Sequence, residues 1–267
     1  MFRKIGFIGC GNMGGAVARA VDTGGAAEQI LLADQMRDKA ESLAQSLKNA
    51  AASDNMEIAR ECDLVFLSVK PQTLAGMLSE IQSVLSARKD RFVLCTMAAG
   101  IPCAKIREMA GGDYPVVRIM PNMAVSVGKG VIQFCTVDVT DAETDAFLRA
   151  LRCAGDLYAL PEPLIDAASA ISGCGPAFAF LFCEALADGG VACGLPRDKA
   201  LAFAAGMLEG AAALVKASGQ HPAILKDAVC SPAGTTIQGV RTLEERGFRG
   251  AVMDAVIASY NRTLELK

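Results

Sequence analysis

The sequence contains no tryptophan and a single histidine, His221, in 267 residues. Chemistry that needs a histidine base beside a nucleophile, or a histidine-rich metal centre, therefore has one candidate to draw on. His221 stands directly before Pro222 and reads as a surface helix cap. The ten cysteines include no C-x-x-C pair, so neither a zinc knuckle nor a redox motif is spelled out, and no metal site is expected. Scattered cysteines of this kind act as small hydrophobes and fit a reducing compartment. No basic block exists, and the formal net charge is −3, which argues against nucleic acid as a partner. Long apolar runs are also missing. Ala177–Leu186 is the most apolar stretch, carries Glu184 and is far too short to span a bilayer. The opening Met-Phe-Arg-Lys leads into an apolar run of only a few residues, unlike a signal peptide. These absences together predict a cytoplasmic protein.

The present features are more specific. Over the first 160 residues, short β-rich runs alternate with helical patterns. Strands are expected at Lys4–Ile8, Gln29–Ala33, Leu64–Val69, Phe92–Met97, Val116–Ile119, Val131–Phe134 and Asp156–Leu160. Helices are expected at Met13–Asp22, Arg37–Leu47, Met56–Glu61 and Thr73–Leu85. Such alternation predicts an α/β domain, a parallel sheet covered by helices. Leu64–Val69 is apolar on both faces apart from Ser68, as a central strand would be.

At Pro161-Glu162-Pro163 the character changes. The remainder, 161–267, reads as almost wholly helical, with helices over Leu164–Ile171, Pro176–Cys193, Arg197–Ser218, Ala223–Val229, Thr235–Arg246 and Gly250–Leu266. Ala200–Val215 is apolar most of the way round, which marks a helix covered on most sides. One short domain cannot supply that cover, so the sequence predicts a homodimer through this region.

Gly9-Cys10-Gly11-Asn12-Met13-Gly14 follows the first strand and opens the first helix. The spacing is G-x-G-x-x-G. Its glycines serve a tight turn, the approach of a pyrophosphate and close helix–strand packing, while the helix N-terminus offers N–H groups to phosphate. An ordinary glycine-rich turn would not need the strand before it and the helix after it. Asp34 ends the second strand, where an acid accepts ribose hydroxyls and repels a 2′-phosphate. Arg37 and Lys39 follow at once and attract phosphate, so the choice between NADH and NADPH stays open. Later strand ends at Lys70-Pro71-Gln72, Ala98-Ala99-Gly100 and Met120-Pro121-Asn122 also fall where open α/β sheets bind ligands.

Two glycine-containing segments stand out in the helical half: Ser172–Ala177 and Ser231-Pro232-Ala233-Gly234-Thr235-Thr236. The second offers consecutive N–H groups, hydroxyls and a helix start, a combination able to hold a carboxylate. Taken alone, a plain Ser/Thr helix cap explains it as well.

In order along nearly the whole chain, the blocks Ile5–Gly14, Leu67–Gln72, Ala98–Ile101, Arg118–Asn122, Ile171–Phe178, Glu184–Val191, Gly194–Pro196 and Leu225–Thr236 resemble the pyrroline-5-carboxylate reductases. The last block is the most specific. The resemblance implies an N-terminal Rossmann domain followed by an all-helical dimerisation domain, with dimers often assembled into larger rings. It also implies reduction of 1-pyrroline-5-carboxylate to proline by NADPH or NADH. Ser231, Gly234, Thr235 and their neighbours would hold the substrate carboxylate, and the Thr236 hydroxyl would bond the ring nitrogen. Asn55 would contact the cofactor ribose. Val69, Lys70, Pro71, Met97, Ala98, Ala99 and Gly100 would line the nicotinamide and its ribose. Alanine at 233 departs from the family's glycine, and a positive φ there would strain it. Methionine at 123 departs from threonine and would reshape the pocket wall.

A related dehydrogenase acting on a hydroxy acid or another imine is the first competing reading. Those enzymes carry a catalytic lysine inside a helix, whereas Lys199 and Lys216 lie at helix ends. A dinucleotide-sensing regulator is the second, and it would need no carboxylate cradle.

Overall fold

The structure is a computed structural model that describes residues 2–265. The chain divides into two compact units. One runs to Gly173 and includes the described residues from Tyr260 to 265, and the other is Cys174–Ser259. The division falls later than the change of character at Pro161, because the helix between them packs on the sheet.

Eight strands form one sheet in the first unit: β1 (Lys4–Ile8), β2 (Gln29–Ala33), β3 (Ala50–Ala52), β4 (Leu64–Leu67), β5 (Val93–Thr96), β6 (Val116–Met120), β7 (Gly130–Val137) and β8 (Gly155–Ala159). Their spatial order is β3-β2-β1-β4-β5-β6-β7-β8. The strands from β3 to β6 run parallel, β7 is antiparallel to β6, and β8 is parallel to β7. The strand order reverses between β1 and β4, which opens a crevice at their carboxyl ends. The sheet is thus mixed rather than purely parallel.

Helices α1 (Asn12–Gly24), α2 (Arg37–Gln45), α3 (Asn55–Glu61), α4 (Pro71–Ala87), α5 (Cys103–Ala110), α6 (Asp141–Ala150) and α7 (Glu162–Ser172) cover the sheet. Strand alternation sends residues to opposite faces. On β4, Leu64 and Phe66 join one core cluster with Val17, Val21 and Phe147. Val65 and Leu67 join the other with Ile58, Leu74, Leu78 and Ile165. Phe7 and Phe66 stack at 4.4 Å across β1 and β4. The α7 helix is fixed to the sheet by Arg118, 2% exposed, which donates to Asp166 at 2.5 Å.

The second unit contains α8 (Gly175–Ala192), α9 (Arg197–Ser218), α10 (Pro222–Val229), α11 (Thr235–Glu245) and most of α12 (Phe248–Glu265). Its buried cluster is only Ala187, Ala200 and Ala204. Phe180, Leu181, Phe203 and Leu214 are each more than half exposed. The stretches Glu162–Ala192 and Arg197–Ser218 carry windows of mean hydropathy 1.5, long and apolar enough to cross a membrane by length and composition. That corrects the expectation that no apolar run is long enough: alanines such as Ala204, Ala205 and Ala211 keep the mean high over a window longer than Ala177–Leu186.

Candidate active site

The glycine loop follows β1 with the geometry its spacing implies. Gly9 has φ +105, and a Cβ there would fall 2.6 Å from the Ser68 carbonyl oxygen. A Cβ at Gly14 would lie 2.2 Å from the Gly9 carbonyl oxygen, so α1 can approach β1 only without a side chain. Gly11 is the N-cap of α1, no side chain caps that helix, and a Cβ at Gly11 would meet nothing within 4 Å. The first turn of α1 therefore presents N–H groups without a side-chain acceptor to open space, which suits a phosphate.

Asp34 makes contacts that its position in the sequence did not reveal. Its Oδ2 accepts the Cys10 N–H at 2.7 Å and its Oδ1 accepts the Met36 N–H at 2.9 Å. The carboxylate thus ties the glycine loop to the end of β2. Each oxygen keeps a further lone pair for a ribose hydroxyl. Burial, and secondarily the Asp34 charge, pushes the Cys10 thiol up to about 12, so it stays protonated and inert.

Asp34, Asn55 and Val69 line one cleft of about 650 Å³, together with Ile8, Ala33, Arg37 and the α4 residues Thr73, Gly76, Met77 and Glu80. Asn55 is the first residue of α3 rather than the one before it, because Asp54 is the N-cap and accepts the Glu57 N–H at 2.8 Å. The Asn55 amide donates to Glu80 at 3.2 Å. Thr73, Gly76, Met77 and Glu80 escaped the sequence reading, although their i, i+3, i+4, i+7 spacing marks one helix face. Cys10, Gly11 and Asn12 border a second cleft of about 500 Å³ on the other side of the loop, with Lys39. Lys70 caps the start of α4, Pro71 opens it, and Lys70 is exposed. Met97–Gly100 follows β5, with Ala98 buried and Gly100 at φ +74.

The Ser68 hydroxyl, beside this loop, is buried and has no hydrogen-bond partner. An orphaned hydroxyl, an uncapped helix start and open space over Gly11 all fit a bound dinucleotide.

In the second unit, Ser231, Gly234, Thr235 and Thr236 gather on one turn that enters α11. Gly234 is the N-cap, no side chain caps the helix, and the Gly234 N–H closes the turn on the Ser231 carbonyl at 3.0 Å. The plain Ser/Thr cap therefore does not describe this turn. Ala233 takes φ +58, the left-handed conformation that strains alanine. His221 does cap α10, accepting the Ala223 N–H at 3.2 Å.

Among the described residues, Cys103, Cys135 and Glu162 are a group whose donor atoms lie within 4.8 Å of one another. Sequence spacing gave no hint of it, since the two thiols come from α5 and β7.

The residues 162–266 match the family described as pyrroline-5-carboxylate reductase dimerisation. Residues 4–99 match the family described as NADP oxidoreductase, coenzyme F420-dependent. A pyrroline-5-carboxylate reductase of Escherichia coli strain K12 is 39% identical, with 100% of this chain and 99% of that protein covered. Its counterpart in Methanosarcina acetivorans is also 39% identical, over 99% of this chain and 98% of that protein. The crystal structure of a Plasmodium falciparum pyrroline carboxylate reductase with NADP bound superposes at a TM-score of 0.87, with 31% identity and 98% and 97% of the two chains covered. With such likeness along its whole length, a glycine loop shaped for a dinucleotide and an uncapped Ser231–Thr236 turn, the chain belongs to the pyrroline-5-carboxylate reductase family.

Proposed function

We propose that the two units divide one reduction between them, the first holding the dinucleotide and the second the imine. The reaction is the NADPH- or NADH-dependent reduction of the C=N bond of 1-pyrroline-5-carboxylate to L-proline, the last step of proline biosynthesis. The bound cofactor supplies the hydride. The Gly9–Gly14 loop and the start of α1 take the pyrophosphate, Asp34 and Asn55 the ribose, and Val69–Pro71 with Met97–Gly100 flank the nicotinamide end.

The Ser231 hydroxyl and the N–H groups of Thr235 and Thr236 bind the substrate carboxylate, with Gly234 as the N-cap whose own N–H closes the turn on Ser231. The observation that carries this reading is the turn itself, in which α11 begins on Gly234 with no side-chain cap. A helix N-terminus left in that state attracts an anion. Thr236 then presents a hydroxyl able to accept the N–H of the protonated imine. A protonated imine needs no further acid to receive hydride, which suits a chain whose single histidine is a helix cap. The protein's contribution is alignment, worth roughly 7–11 kcal/mol for well-oriented reactants.

The apolar faces of α8 and α9 are covered by a second copy, and pairs assemble further into a ring. The protein works in the cytoplasm, where its free thiols stay reduced. The test is the initial rate of NADPH and NADH oxidation with 1-pyrroline-5-carboxylate, with proline measured as product. Oxidation yielding proline supports the reading. Folded protein that binds the dinucleotide yet oxidises neither contradicts it.

A further inference from the structure

Two thiols far apart in sequence meet inside the first unit. Cys103 is the first residue of α5 and Cys135 lies on β7, with their sulfurs 3.9 Å apart. They are 1% and 8% exposed. Each still lines an opening: Cys103 a surface cleft of about 540 Å³, and Cys135 an adjoining one of about 400 Å³. Val137 and Glu162 border both. Both residues thus border surface openings wide enough to admit a small oxidant.

The surroundings favour a thiolate over a bound cation. Arg118, on β6, stands opposite Cys135 in the antiparallel register. Its side chain is buried, and its Nε has no hydrogen-bond partner. The third donor of the cluster, Glu162, is already committed. Its Oε1 accepts the Cys103 N–H at 2.7 Å and the Arg118 guanidinium at 3.4 Å. A metal ion would have to displace those bonds beside a buried positive charge. The hydrogen bond between the two thiols draws Cys135 below its usual range, with the Arg118 charge helping and burial and the Glu162 charge opposing, while the same bond and burial hold Cys103 protonated. Cys62 and Cys95 are different: burial pushes Cys62 to about 12 and Cys95 well above its ordinary value.

We propose that Cys103 and Cys135 are a peroxide-responsive pair that closes reversibly to a disulfide and displaces the segment entering α5. The Cys135 thiolate attacks a peroxide oxygen, breaks the O–O bond and becomes a sulfenic acid as hydroxide leaves. The Cys103 sulfur then attacks the Cys135 sulfur, the S–O bond breaks, and the departing hydroxide takes the Cys103 proton as water. Two thiols and one hydrogen peroxide give one disulfide and two waters, and both electrons end on peroxide oxygen. Closing the bond draws sulfurs now 3.9 Å apart to about 2.05 Å. Only Ile101 and Pro102 separate Cys103 from the Met97–Gly100 segment, so the shift reaches the residues assigned to the nicotinamide end. That last consequence rests on the reductase reading, whereas formation of the bond does not.

The experiment treats the full-length protein with hydrogen peroxide, blocks remaining thiols by alkylation, and maps peptides by mass spectrometry. A Cys103–Cys135 cross-linked peptide, two hydrogen masses lighter than its parts and removed by dithiothreitol, is expected. Turnover should fall about tenfold or more on oxidation and recover on reduction, in the range that misplacement by about an ångström produces. Cys103→Ser should keep its turnover through the same treatment. Absence of that cross-linked peptide while other thiols oxidise would overturn the proposal, whether or not the protein proves to be a reductase. Equal peroxide sensitivity of Cys103→Ser would overturn the claimed effect on the segment.

Discussion

Phe66 and Phe203 sit in the middle of their elements and meet opposite surroundings. Phe66, on β4, is completely buried and stacks on Phe7, while Phe203, on α9, is 61% exposed. The first unit supplies its own core on both faces of a sheet. The second buries three alanines and leaves large apolar side chains in the open. One sequence thus contains two kinds of apolar residue: those satisfied within the chain, and those that need a second copy. The same division applies to the groups proposed to bind ligands. The dinucleotide loop is locked by its own backbone and by Asp34, whereas the Ser231–Thr236 turn is mostly exposed.

The comparison can be broken at its strongest internal bond. Asp166→Ala leaves Arg118 buried with a weakened set of acceptors, and loss of one partner of a buried pair costs about 3–5 kcal/mol. Denaturant unfolding should show that loss. A change no larger than that of an exposed pair would mean that α7 is not anchored as described.

Next in size is Thr236→Ala. Turnover per unit substrate should fall on the order of 100-fold, equal to about 2.7 kcal/mol, with dinucleotide affinity unchanged. A matching loss of dinucleotide affinity would erase the division of labour between the units. The reciprocal change is Asp34→Ala, which should weaken NADH by roughly tenfold, or about 1.4 kcal/mol, and NADPH by less. Calorimetric titration with both cofactors reads this directly, and a greater loss for NADPH would contradict the role given to the carboxylate. The smallest effect is Ala233→Gly. It relieves a left-handed alanine and should raise stability by about 1 kcal/mol. A lower melting temperature would mean that the strain is compensated elsewhere.

What could be read from the chain beforehand follows a physical line. The glycine loop was legible because φ and close approach dictate residue type there, and the ends of β1 and β2 fall where expected. Ala233 was marked as a strained position only through the resemblance, which has glycine there; the alanine itself gives no sign of the left-handed turn it adopts. The β3 strand was not seen, because three alanines carry no β preference and acquire it only by pairing with β2. The α6 helix went unmarked, though Thr140 and Glu143 form a capping box that announces it. The Arg118–Asp166 bond and the Cys103–Cys135 pair join residues 48 and 32 positions apart. No local pattern can report such contacts, which exist only once the sheet has formed. For Asp34 the acid's place was legible, but its grip on the Cys10 and Met36 N–H groups was not, because those partners are set by how the loop closes.

The most direct test of this contrast is the molar mass in solution, by light scattering at micromolar concentration. If the exposed apolar faces of α8 and α9 are the half of a core completed by a second copy, the mass will be that of two chains or a multiple of two. A stable, soluble species with the mass of one chain would contradict the account.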